Sequence, residues 1–213
     1  MSQAPLDTLT VMRLAPVIPV LTIAKAADAI PLARALVAGG LRALEVTLRT
    51  SAGIEAIALI AREVPDAVVG AGTVLNPADW DRATAAGARF IVSPGLTEPL
   101  LRAAAQSPLA FLPGVATASE LMRGLDAGLM NFKFFPAESS GGAPALKALH
   151  GPFGQVRFCP TGGISAKTAP DYLALPNVVC VGGGWVAPPD VVDAGDWGKI
   201  TALAQAAAAL KAG

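Results

Sequence analysis

The chain has 213 residues, of which 53% are apolar and 15% charged, and sixteen basic residues balance sixteen acidic ones. That apolar fraction excludes a disordered chain, and zero net charge without a Lys/Arg cluster excludes a field that recruits nucleic acid or anionic lipid. Two cysteines and one histidine are too few for a disulfide framework or an ordinary zinc site.

The opening MSQAPLDTLTVMRLAPVIPV has no basic segment followed by an unbroken apolar run, and no stretch reaches the ~18 apolar residues of a membrane span. A cytoplasmic location is therefore expected, with no membrane partner. Residues 1–15 precede the first strand and are expected to supply a helix that closes the bottom of the fold.

A unit then repeats. Strands rich in Val, Ile and Phe are predicted at 16–23, 43–48, 67–74, 90–95, 109–115, 131–137, 155–163 and 178–185. Each is followed by an Ala/Leu-rich amphipathic stretch, at 26–38, 51–63, 77–86, 98–106, 117–127, 142–149, 166–174 and 197–211. Strand–helix alternation of this kind builds a parallel sheet. Gly39, Gly87 and Gly128 are placed to stop helices, and Asn76 before Pro77 reads as an N-cap with proline at the first helical position. Eight such units predict a (β/α)8 TIM barrel, a single domain over 1–213 with a short N-terminal helix. The competitor is an open doubly wound sheet, but its usual GxGxxG turn after the first strand is missing. His150 is expected in a loop as a satisfied surface side chain, and Cys159 and Cys180 as buried thiols.

Strand parity selects the candidate site. In ALEVTLRT, Leu44, Val46 and Leu48 belong to the helix-facing side, and Glu45, Thr47 and Arg49 to the barrel interior near its C-terminal mouth. Two readings stay open for them. One is a structural Glu45–Arg49 pair; the other makes Glu45 an acid/base and Arg49 a carboxylate anchor. Of six lysines (25, 133, 147, 167, 199 and 211), only Lys133 falls inside a strand, flanked by Phe132 and Phe134 and sharing parity with Asn131 and Phe135. Desolvation of an amine favours its neutral form, which is what attack on a ketone requires. The alternative is a lysine paired with a carboxylate such as Glu45.

Glycines mark the last two strand ends. CPTGG (159–163) and VGGGW (181–185) stand where barrels commonly hold phosphate on backbone N–H groups. Thr73, Ser93, Pro94, Pro113, Gly114 and Thr161 also sit at strand ends, with turn chemistry the preferred reading of Ser93 and Pro113.

The segments EVTLRT, VGAGTVLNP, SPGLTEPLL, FKFFPAE, VRFCPTGGIS and VGGGW resemble the 2-keto-3-deoxy-6-phosphogluconate aldolase family, also described as bifunctional with 4-hydroxy-2-oxoglutarate aldolase. The similarity runs from about residue 16 to the last helix. It implies a class I aldolase on a (β/α)8 barrel, a homotrimer of the Entner–Doudoroff pathway that uses neither metal nor organic cofactor. It implies Lys133 as the Schiff-base lysine and Glu45 as the proton-transfer residue. Arg49 and Thr73 would bind the pyruvate carboxylate, and Thr161, Gly162, Gly163, Gly183 and Gly184 the phosphorylated end, with Thr161 bearing on stereochemistry. Thr47, Pro94 and Phe135 would line the pocket. One departure stands out: the family's eighth strand usually reads GGSW, and this chain has Gly184 in place of the serine. Alternatives are selectivity for 4-hydroxy-2-oxoglutarate or the C4 epimer, a non-covalent phosphosugar isomerase or epimerase, and a noncatalytic phosphate-binding barrel.

Overall fold

β-branched and aromatic runs too short to be helices become the eight strands. In the computed structural model, which describes residues 6–210, these are β1 (Val17–Leu21), β2 (Ala43–Thr47), β3 (Val68–Gly72), β4 (Phe90–Ser93), β5 (Ala110–Val115), β6 (Asn131–Phe134), β7 (Arg157–Pro160) and β8 (Val181–Gly183). All pair in parallel, in the order β7-β6-β5-β4-β3-β2-β1-β8. Bridges from Phe158 to Val178 and from Thr161 to Gly182 join the two ends. The sheet is a barrel and not the open doubly wound competitor.

The helices follow in chain order: α1 (Thr8–Met12), α2 (Ala29–Ala38), α3 (Gly53–Glu63), α4 (Pro77–Ala85), α5 (Glu98–Ala105), α6 (Ala118–Asp126), α7 (Gly142–His150), α8 (Ala169–Leu173), α9 (Pro189–Asp193) and α10 (Trp197–Ala208). The start of α4 is as expected: Asn76 accepts from Asp79 N–H, with proline next. Lys211 and the chain ends at 1–5 and 211–213 lie outside the described residues.

Two apolar layers result. Leu44 and Val46 join the layer between sheet and helices. Ile18, Ala43, Val68, Phe90 and Ala110 point inward at the strand starts and meet Val11 and Met12 of α1. The N-terminal helix thus closes the barrel bottom. Cys159 and Cys180 lie in this inner layer, and burial, then contact with Cys159, pushes the Cys180 thiol up.

Several details differ from expectation. α2 does stop at Gly39, its C-cap, while the left-handed residue is the next one, Gly40 (φ 95°). Gly39 is required for a different reason, since a Cβ there would collide with Ala204 of α10. β7 stops at Pro160 because Gly162 and Gly163 turn left-handed (φ 104° and 80°). Pro113 lies inside β5, whereas Ser93 does make a turn contact, donating to Gly95 O at 2.7 Å. α9 was not anticipated, although Pro188-Pro189-Asp190 places a proline and an acid in a first helical turn. His150 ends α7 half-buried with Nδ1 unpartnered, instead of lying satisfied in a loop.

Helix α6 carries a reciprocal cap that predicts a measurable effect. Thr117 Oγ1 accepts from Glu120 N–H, while Glu120 accepts from the N–H groups of Ala116 and Thr117 and from the Thr117 hydroxyl. Burial raises the Glu120 carboxyl, but those hydrogen bonds outweigh it and hold the group below its ordinary 4.5. Thr117→Ala should cost about 1 kcal/mol, seen as a lower urea midpoint at unchanged m-value. A depressed carboxyl stabilises above its unfolded-state value and loses that contribution as pH falls through the folded one. The deficit of the variant should therefore shrink below about pH 4.

Candidate active site

Parity places the site. On β2 the inward positions are Ala43, Glu45 and Thr47; on β6 they are Asn131 and Lys133. Lys133 (5% exposed) and Glu45 (2% exposed) meet across the interior, Nζ to Oε1 at 3.0 Å. Glu45 therefore takes Lys133, not Arg49, as its partner. The Lys133 ammonium also stands 5.2 Å from the centroid of the Phe135 ring, within the range of a cation–π contact.

Room for this pair comes from glycine. A Cβ on Gly72, the inward residue at the end of β3, would overlap the Glu45 carboxylate. Gly114 is the register neighbour of Lys133 on β5, and a Cβ there would strike the Pro94 carbonyl. Neither glycine was assigned a site role from sequence. Inward parity along β3 (Val68, Gly70, Gly72) was the available signal.

Arg49 lies past the end of β2 and is exposed at the rim, not inside the barrel as its parity suggested. The strand ends at Thr47, and beyond it alternation no longer governs direction. Its Nε donates to Thr47 Oγ1 at 3.3 Å, and Thr47 in turn donates to Leu21 O at 3.0 Å and lies 3.3 Å from Thr22 Oγ1. Thr22, unanticipated from sequence, thus belongs to the Arg49 side of the site. Arg49, Thr22, Val20 and Gly184 share the wall of a cavity of ≈ 250 Å³. A larger cavity of ≈ 970 Å³, between α1, α5 and α6, touches none of them.

Thr73 follows β3 with φ 59°, the one non-glycine described in the left-handed region. For a β-branched residue that conformation is strained by about 1–2 kcal/mol. Thr161 is buried on the β7 side, and Gly182 leaves space for its hydroxyl. Gly162 approaches Pro136 and Ala137, and Gly163 rests against Glu138. Gly183 packs beneath the Trp185 ring. At Gly184, which is exposed, a Cβ would find only Val20 O at an ordinary 3.5 Å.

Chemically, the arrangement offers a buried amine with a carboxylate in proton-transfer distance. A guanidinium stands at the rim, and glycine turns end β7 and β8. Among the described residues, no group of three or more His, Cys, Asp or Glu side chains is arranged to hold a metal ion. No described helix is long and apolar enough to cross a membrane.

Comparison with known proteins agrees over nearly the whole chain. Residues 9–203 match the family described as "Aldolase: KDPG and KHG aldolase". The 2-dehydro-3-deoxy-phosphogluconate aldolase of Dickeya dadantii (strain 3937) is 60% identical over 194 residues, 91% of each chain. The KHG/KDPG aldolase of Escherichia coli (strain K12) is 57% identical over 198 residues, 93% of each. Among solved structures, the 2-keto-3-deoxy-6-phosphogluconate aldolase of Zymomonas mobilis ZM4 with 3-phosphoglycerate has a TM-score of 0.92 and 58% identity, covering 96% of both chains. The KDPG aldolase of Legionella pneumophila, with pyruvate captured at low pH as a covalent carbinolamine intermediate, has a TM-score of 0.94 and 50% identity, covering 96% of this chain and 99% of that one.

The tight fit at Gly72 gives a direct test. Gly72→Ala should force Glu45 off Lys133 and lower stability by about 1–3 kcal/mol, as overpacking does. Urea denaturation would read the loss, and a crystal structure of the variant would show a lengthened Glu45–Lys133 distance.

Proposed function

The chain belongs to the KDPG and KHG aldolase family, and from that premise we infer how its own residues carry the reaction. It is a class I aldolase, an aldehyde-lyase that reversibly cleaves 2-keto-3-deoxy-6-phosphogluconate to pyruvate and D-glyceraldehyde 3-phosphate in the Entner–Doudoroff pathway. The observation that carries the assignment of residues is the buried Lys133–Glu45 contact at 3.0 Å.

Glu45 accepts a proton from Lys133, and the freed amine attacks the C2 ketone to form a carbinolamine. Glu45 returns a proton to the C2 hydroxyl, water leaves, and the iminium draws electrons from the C3–C4 bond. Deprotonation of the C4 hydroxyl, by Glu45 directly or through a water, releases the aldehyde and leaves a pyruvate enamine. Protonation at C3 and hydrolysis then free pyruvate and restore the lysine. Arg49, steadied by Thr47, suits a carboxylate because its planar fork donates two parallel hydrogen bonds. Thr73 joins it, and the strain at φ 59° supports a residue held for binding. Thr161, Gly162, Gly163, Gly183 and Gly184 face the far, phosphorylated end, with Pro94, Phe135 and Thr47 lining the space between. A cytoplasmic homotrimer, and independence of metal or organic cofactor, are the reading the family resemblance supports.

A relaxed phosphate requirement, extending to 4-hydroxy-2-oxoglutarate, is the second reading. Gly184 favours it, because the hydroxyl usual in the family is missing there.

Two experiments test this. Borohydride with pyruvate should inactivate the enzyme and leave a reduced adduct on Lys133; an adduct on another lysine, or none, would contradict the assignment and favour a non-covalent isomerase or a binding barrel. Gly184→Ser, for which there is space, should lower KM for the phosphorylated substrate by about ten-fold, the worth of one hydrogen bond to a charged group. The KM for 4-hydroxy-2-oxoglutarate should not change.

A further inference from the structure

β6 and β7 keep running side by side after their regular pairing ends. Ala137 N–H donates to Thr161 O at 2.8 Å and Glu138 N–H to Gly162 O at 3.1 Å. The turn carrying Thr161, Gly162 and Gly163 therefore hangs from the 3-10 turn Glu138–Ser140. Side chains continue the contact: a Cβ on Gly163 would lie 2.6 Å from Glu138 Cγ and 2.8 Å from Glu138 Cβ. The Gly163 backbone rests directly on the stem of Glu138.

That stem is itself held. Glu138 Oε1 accepts a hydrogen bond of 2.7 Å from the hydroxyl of Tyr172, a buried residue on α8. Burial, then the hydrogen bond and charge of Glu138, push the Tyr172 phenol well above its ordinary value, so it remains a donor. Two consecutive left-handed glycines have little intrinsic preference for one conformation. What fixes the turn must come from its neighbours, and Glu138 is the neighbour on which it rests.

We propose that Tyr172 and Glu138 are positioning residues, whose hydrogen bond holds the Thr161–Gly163 turn where it binds the substrate's phosphate and so sets the preference for phosphorylated over unphosphorylated keto acids. The proposal rests on the reading of that turn as the phosphate-binding one. A carboxylate repels phosphate, so Glu138 acts as an anchor for the turn and not as a ligand. Tyr172 and Glu138 bond to one another and Lys133 and Glu45 to one another, so the brace acts on the turn and not on the proton-transfer pair.

Tyr172→Phe deletes the hydroxyl and keeps the ring. Its KM for 2-keto-3-deoxy-6-phosphogluconate should rise about ten-fold, as expected for loss of a hydrogen bond to a charged group, with kcat within about two-fold of the parent. KM for 4-hydroxy-2-oxoglutarate and deuterium exchange at the pyruvate methyl should be unchanged. Glu138→Ala, at an exposed position, should reproduce the shift and serves if Tyr172→Phe fails to fold. Glu138→Gln keeps an acceptor for the tyrosine and should restore most of the affinity. Equal losses with both substrates, or an unchanged KM for the phosphorylated one, would overturn the brace. A parent enzyme that fails to distinguish the two substrates would overturn the phosphate reading of the turn instead, and one that gives no trapped adduct with pyruvate would overturn the aldolase reading.

Discussion

Opposite charges 3.0 Å apart in a largely apolar barrel set the terms for everything around them. Each ion gives up several kcal/mol, roughly, of hydration, and mutual attraction alone seldom outweighs that. A pair of hydrophobic residues would fill the same volume at less risk, so stability does not explain why Lys133 and Glu45 are there. The proposed mechanism explains it through transferable protons. Carboxylate and amine stand in hydrogen-bond contact, the distance over which the proposed imine chemistry would pass its protons. Around the pair the sheet supplies rigidity: Lys133 and Glu45 lie within strands paired on both edges. The two side chains therefore meet from backbones that are fixed.

Much of this could be read from period-two alternation. Glu45 and Thr47 emerged on the inward face because Leu44 and Val46 so plainly belong to the helix layer. Lys133 stood out as the lysine inside a strand. Alternation holds only while the strand lasts, which is why Arg49, two residues past the end of β2, was misplaced. It also assigns faces without partners, so it left Glu45 between Arg49 and Lys133. The choice depends on barrel curvature bringing β2 opposite β6. The Tyr172–Glu138 contact joins residues 34 apart in sequence, between a short helix and a 3-10 turn that share no periodic pattern. The conformation of Thr73 likewise has no compositional mark, since threonine rarely adopts it.

Glycine plays the same role at several inward positions of the barrel. Gly70 leaves space for the Phe90 ring, Gly72 for the Glu45 carboxylate and Gly182 for the Thr161 hydroxyl. In each case a strand gives up its own side chain so that a chosen group from an adjacent strand or its end occupies the volume. Lower in the barrel the inward residues are Ile18, Ala43, Val68, Phe90 and Ala110, and space is filled with hydrocarbon. The interior thus changes from packed to functional along the strand axis, toward the C-terminal mouth where barrels carry their sites.

The hydrocarbon floor is held together by contacts between distant parts of the sequence. Val11 and Met12 complete the inner layer from α1, and Thr8 of that helix donates to Phe111 O on β5. β1, next in the chain, finds one of its two neighbours only in β8, with Val17 opposite Val181. The helix meets a strand more than a hundred residues further along, and β1, paired on one edge with β2, closes its other edge only on the last strand. The seam between β1 and β8 thus joins strands about 160 residues apart, and pairing over such a separation is slow to form because loop closure must come first.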